Sequence, residues 1–144
     1  MRVTLGACLA LVGMVFTVGA AKGAKAGFKV IAHASVGTSS LTRAEVSQFF
    51  LKKTARWPDG SPVVPVDLPV NSETREAFSR DVHGKATAAV DAFWQKQVFT
   101  GREVPPVTKA NERELLAYVL ATPGAIGYVS ESTDTGGTKL IDLR

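Results

Sequence analysis

A short polar stretch of the chain has residue types and spacing that could bind an anion. The apolar run at positions 63–66 leads through a turn into Asn71, Ser72, Glu73, Thr74 and Arg75, which read as the opening of a helix. The hydroxyls of Ser72 and Thr74 can donate to oxyanion oxygens, and the free N–H groups of a first helical turn can do the same. The helix dipole favours negative charge there by about 0.3 to 1 kcal/mol per exposed interaction. Arg75 could add a charge-assisted contact, so we predict an oxyanion site at Asn71, Ser72, Thr74 and Arg75.

The same residues also allow a purely structural interpretation. Asn71 or Ser72 can cap its own helix with no ligand involved, and capped helices are far commoner than anion sites. Spacing alone leaves both interpretations open.

No catalytic or metal-binding set is evident in the sequence. His33 and His83 are the only histidines, and they share no metal-ligand spacing. Neither a Gly-x-Ser-x-Gly elbow nor a phosphate-cradling Gly-x-x-x-x-Gly-Lys loop occurs. We therefore expect a protein that is not an enzyme and that needs no metal or cofactor.

Strand and helix patterns alternate along the chain. Thr42 and Glu45 have the spacing of a capping box, and Asn111 with Glu114 marks a second helix start. We predict strands over 28–32, 63–67, 125–130 and 139–143, and helices over 43–51, 73–82, 86–98 and from the cap at 111 to near 121. This alternation predicts an α/β sandwich with the sheet at its centre.

Such sheets collect ligands beyond the carboxyl ends of their strands, where helix N-termini also point. Ser72 and Thr74 are expected at such an edge. Ser35 follows the first strand and could line the same edge, although turn formation is the default role of a polar loop residue.

The first 26 residues resemble a secretory signal rather than part of the domain. Arg2 precedes an apolar run from Val3 to Val18, and small residues allow cleavage after Ala20 or Ala26. The run is shorter than the roughly 20 residues that span a bilayer, so no stable membrane anchor is expected. We predict a signal peptide at 1–26, one domain at 27–144, and a periplasmic or secreted protein.

The charge of the mature chain gives little support for nucleic-acid binding. Cleavage after Ala26 removes three of the 17 basic residues and leaves 14 against 13 acidic ones. A nucleic-acid-binding domain normally shows a dense basic face. Cys8, the only cysteine, falls in the predicted leader, so no disulfide is expected.

Several landmarks together resemble one protein family. They are Leu41-Thr42, Phe50-Leu51, the turn at Trp57, Pro65-Val66, Ser72-x-Thr74, Phe93-Trp94 and the run Pro123 to Tyr128. Over about Leu41 to Val129 the chain resembles the phosphate-binding substrate proteins of bacterial ABC uptake systems. The resemblance implies a type II periplasmic-binding-protein-like fold, with a central mixed sheet flanked by about four helices. It covers roughly one of that family's two lobes.

The resemblance implies phosphate as ligand and an ABC permease as partner, but the chain departs from the family pattern. The family's phosphate loop typically has an arginine, a short stretch and then Ser-Gly-Thr. This chain has Leu68 at the arginine position and Glu73 in place of the glycine. A carboxylate and a missing arginine both oppose tight phosphate binding, and sites that grip small ligands bury most of the ligand surface. Two functions stay open: an exported module that binds an oxyanion weakly, and a ligand-free periplasmic interaction or sensing domain on the same scaffold.

Overall fold

The computed structural model describes residues 27–144, so the predicted signal peptide lies outside the described part of the chain. Within this range the chain forms six strands and four α-helices. They are β1 (Phe28–Ala32), β2 (Ser40–Leu41), α1 (Arg43–Phe50), β3 (Val64–Asp67), α2 (Glu73–Phe78), α3 (Thr87–Phe99), β4 (Val107–Thr108), α4 (Glu112–Ala121), β5 (Ala125–Ser130) and β6 (Lys139–Leu143). A π-helical segment, Ser79–His83, continues α2. No helix in the described range is long and apolar enough to cross a membrane.

Local capping chemistry sets where the helices begin. The Thr42 side chain accepts from the Glu45 amide while Glu45 reaches back to the Thr42 amide, which is the predicted capping box. Asn111 caps α4 by accepting from the Glu114 amide at 2.9 Å. These contacts satisfy first-turn N–H groups that have no partner inside the helix.

The strands form one mixed sheet in the order β2-β6-β1-β5-β3-β4. Strand β1 is antiparallel to β5 and β6, whereas β3 is parallel to β5 and β4, and β2 is parallel to β6. The beginning of β1 therefore lies at the same end of the sheet as the carboxyl ends of β3 and β5. Phe28 pairs with Ser130 at this end.

The predicted α/β class and mixed sheet are confirmed. Strands β1, β5 and β6 have the predicted bounds, and the other long elements differ from prediction by one or two residues, apart from the π-helical continuation of α2. Two strands were not predicted, β2 and β4. Each has only two residues, which is too short for a period-two pattern.

The core lies between the sheet and its helices and includes an aromatic stack. Tyr128 on β5 and Phe78 on α2 stack with ring centroids 3.9 Å apart, and Phe50 of α1 packs against both rings. Helix α4 lies close over β5, since a Cβ at Gly127 would be 2.7 Å from Leu115. This packing fixes α2, α4 and β5 relative to one another.

Candidate oxyanion site

The start of α2 forms as predicted, and Ser72 caps it. The Ser72 amide donates to the Pro69 carbonyl at 3.0 Å, which closes the turn after β3. Its hydroxyl oxygen accepts from the Arg75 amide at 3.1 Å. Ser72 is therefore the N-cap residue of α2. Its hydroxyl still has a proton to donate, because a hydroxyl is both donor and acceptor.

Asn71 and Glu73 flank this cap at the surface. Both residues are exposed, and Glu73 belongs to no ion pair among the described residues. The Glu73 carboxylate thus places negative charge at the helix start. This is the position at which the sequence predicts that it opposes anion binding.

Thr74 faces inward and bonds a carboxylate from a distant part of the chain. Its hydroxyl donates to Oε1 of Glu112, the first residue of α4, at 2.6 Å. The Ser130 amide, at the end of β5, donates to the same oxygen at 3.0 Å. The Ser130 hydroxyl at 3.0 Å and the Thr133 hydroxyl at 2.6 Å donate to Oε2. We call these three donor residues, Thr74, Ser130 and Thr133, the donor cluster.

The donor cluster has the composition of an oxyanion site. Three hydroxyls and one amide converge from α2, β5 and the following loop, with two donors for each carboxylate oxygen. Partial burial tends to raise the pKa of Glu112, but the hydrogen bonds from Thr133, Thr74 and Ser130 outweigh it and lower that pKa. Glu112 is therefore an anion at neutral pH, and the cluster holds a negative charge supplied by the chain itself.

Arg75 lies in the interior rather than at the helix mouth. Its Nε is 3.5 Å from Oδ1 of Asp67, with both side chains less than a tenth exposed, and its guanidinium donates to the Leu68 carbonyl at 2.7 Å. The Tyr128 hydroxyl also donates to Asp67. Burial raises the pKa of Asp67, and the Arg75 charge and the Tyr128 bond oppose that rise. In this arrangement the guanidinium ties the end of β3 to the first turn of α2.

Ser35 lies at the other end of the sheet. The His33 amide, just beyond β1, donates to the carbonyl of Ala125 at the start of β5. Because β1 is antiparallel to β5, the loop after β1 is remote from the carboxyl ends of β3 and β5. Ser72 and Thr74 both lie at the start of α2, at the opposite end of the sheet from Ser35.

Neither histidine takes part in a metal cluster. No group of three or more His, Cys, Asp or Glu side chains is placed to hold a metal ion within residues 27–144. His83 pairs its Nδ1 with the Ser47 hydroxyl at 2.7 Å. Burial, with the nearby charges of Arg75 and Lys85, lowers the pKa of His83 to about 4.

Sequence reasoning missed Glu112, Ser130 and Thr133. Glu112 is 38 positions from Thr74 and 18 from Ser130, so no local spacing links them. The only sequence signal was compositional: the segment after β5 is rich in Ser, Thr, Asp and Gly.

No protein-family model matches this chain, and no curated protein matches it. Solved structures do. A phosphate ABC transporter substrate-binding protein from Clostridium perfringens, whose structure contains bound phosphate, matches with a TM-score of 0.63 and 21% identity over 81% of this chain. An ABC-type phosphate transport receptor from Vibrio cholerae matches with a TM-score of 0.64 and 16% identity over 81% of the chain. PstS from Borrelia burgdorferi matches with a TM-score of 0.58 and 11% identity over 82%.

These matches confirm, at the level of fold, the resemblance read from the sequence. The aligned regions make up only 44%, 46% and 47% of those three chains, so this chain spans less than half the length of the structures it matches. That coverage agrees with the predicted correspondence to about one lobe.

Proposed function

We propose that this protein is a solute-binding module that takes a small inorganic oxyanion, phosphate as the first candidate, with low affinity. The site consists of Ser72 and Thr74 at the start of α2 together with Ser130 and Thr133. One observation supports the proposal. Four hydrogen-bond donors from three segments converge on the Glu112 carboxylate at the carboxyl ends of β3 and β5. Donors of this kind are the usual ligands of phosphate and sulfate in proteins.

Several features argue for weak binding. The donor cluster already holds Glu112, and the exposed Glu73 adds a second carboxylate nearby. Arg75 is engaged with Asp67 and Leu68, so the proposal gives it a supporting role rather than a ligand contact. Asn71 at the rim remains a candidate contact, and Ser35 is left out of the site because it lies at the opposite end of the sheet.

The proposed setting is the periplasm or the exterior of the cell. An exported module of this fold would deliver its ligand to, or signal through, a membrane partner, and an ABC permease is the partner that the resemblance implies. A signal sequence at 1–26 is part of this proposal. Amino-terminal sequencing of the protein recovered from the periplasm tests it, because uncleaved protein in the cytoplasm would contradict export.

A second candidate function is a ligand-free interaction or sensing domain. The internal bonds of Ser72, Thr74 and Arg75 favour it, since all three side chains already have partners within the chain. In that case the donor cluster serves only to join α2, α4 and β5.

Calorimetric titration with phosphate and sulfate separates the two candidates. The binding module predicts heat and thermal stabilisation at millimolar anion, and Thr74→Val should reduce both. Thr138→Val is the matched control, because its hydroxyl bonds the Thr135 carbonyl outside the donor cluster. If about 10 millimolar phosphate or sulfate gives neither heat nor thermal stabilisation, any binding is weaker than the affinities usually measured for small ligands. The interaction domain would then be the better account.

A further inference from the structure

We infer that Glu112 is a built-in competitor for the oxyanion site: its carboxylate fills the donor cluster in the free protein and must leave before an external anion binds. This inference rests on the proposed function and specifies how that site is regulated.

The geometry of the carboxylate is that of a bound anion. Each oxygen receives two hydrogen bonds, at 2.6 and 3.0 Å, and three of the four donors are side-chain hydroxyls that can rotate toward a replacement. A phosphate or sulfate oxygen accepts from hydroxyl and amide donors with the same geometry. The cluster is therefore chemically suited to either occupant, but not to both at once.

Glu112 is also placed to leave. It is the first residue of α4 and only partly buried, and its side chain has three rotatable bonds. Rotation of the side chain would move the carboxylate toward solvent while the α4 backbone stays in place, because Asn111 caps that helix independently of Glu112.

The negative charge of Glu112 opposes the binding of an external anion. The hydrogen bonds that hold it lower the pKa of its carboxyl group, so it stays ionised at neutral pH and repels an approaching phosphate. Removing it should raise phosphate affinity by about ten- to a hundredfold, the range for one hydrogen bond to a charged group.

The test titrates inorganic phosphate into the wild-type protein and into the Glu112→Ala, Glu112→Gln and Glu114→Ala variants. Glu114 lies in the same first turn and bonds the Ala110 amide, so its removal is the matched control. We expect tighter phosphate binding by both Glu112 variants and wild-type affinity in Glu114→Ala. Formate, which replaces the missing carboxylate, should raise the melting temperature of Glu112→Ala and leave that of the wild type unchanged.

The outcomes separate this inference from the proposed function. If the wild type binds phosphate and the folded Glu112 variants bind it no more tightly, the competitor role alone is overturned. Tight binding by the variants with none by the wild type would support the competitor role and overturn the proposed wild-type function. Absence of binding in all proteins would overturn both. If Glu112→Ala does not fold, Glu112→Gln decides, since the amide keeps the size of the side chain without its charge.

Discussion

The buried pair of Arg75 and Asp67 tests whether Arg75 supports the fold or contacts a ligand. Arg75→Met removes the guanidinium that lies 3.5 Å from the Asp67 carboxylate, at a place where the two side chains are only 8% and 9% exposed. Breaking a buried pair by removing one partner costs about 3 to 5 kcal/mol. Asp67 keeps its bonds from Tyr128 and from the Leu68 amide, so we expect the lower end, about 3 kcal/mol. Urea unfolding followed by circular dichroism at pH 7 measures it.

Two further variants make this measurement specific. Arg80→Met breaks an exposed pair with Glu76, in which the Arg80 side chain is 67% exposed, and should change the free energy of unfolding far less than Arg75→Met does. Combining Arg75→Met with Asp67→Asn removes the stranded charge and should recover most of the lost stability. If Arg75→Met unfolds with the wild-type free energy yet no longer binds phosphate, Arg75 is a ligand contact and not a support of the fold.

Three other predictions concern pH, backbone conformation and charge. The pKa of His83 falls from 6.5 in the unfolded chain to about 4 in the fold. The stability that comes from burying the neutral ring is therefore fully present above pH 6.5 and is lost as the pH falls toward 4. That loss is about 3 kcal/mol, and His83→Gln should flatten this part of a urea stability curve; an unchanged curve would contradict the assignment. Gly124→Ala should lower the melting temperature more than Gly60→Ala. Both glycines have positive φ, but only at Gly124 would an added Cβ meet the backbone, 2.3 Å from the Pro62 carbonyl oxygen. Equal shifts in melting temperature would contradict this packing. Glu73→Gly should raise phosphate affinity in calorimetry by removing a repelling carboxylate, and no gain would argue that no anion binds near α2.

Much of the fold could be predicted from local signals. The capping box at Thr42 and the cap at Asn111 place α1 and α4, because these contacts involve residues only three positions apart. The two-residue strands β2 and β4 carry no such signal. They are strands only because β6 and β3 pair with them.

The candidate site was less predictable, because its contacts are long-range. Spacing showed that Ser72 and Thr74 open a helix, but it could not show that Arg75 turns inward, where its guanidinium lies 3.5 Å from the Asp67 carboxylate. It could not place Ser35 either, since the relative direction of β1 and β3 is decided by the pairing of both strands with β5. Glu112 reaches the donor cluster only through the packing of α4 on β5.

A crystal structure of the protein grown with phosphate tests the central claim most directly. We predict tetrahedral density within hydrogen-bond distance of the Thr74 hydroxyl and the Ser130 amide, with the Glu112 side chain rotated away. If crystals grown with phosphate show Glu112 still bonded to Thr74 at 2.6 Å and no density beside the donor cluster, that result would contradict the claim.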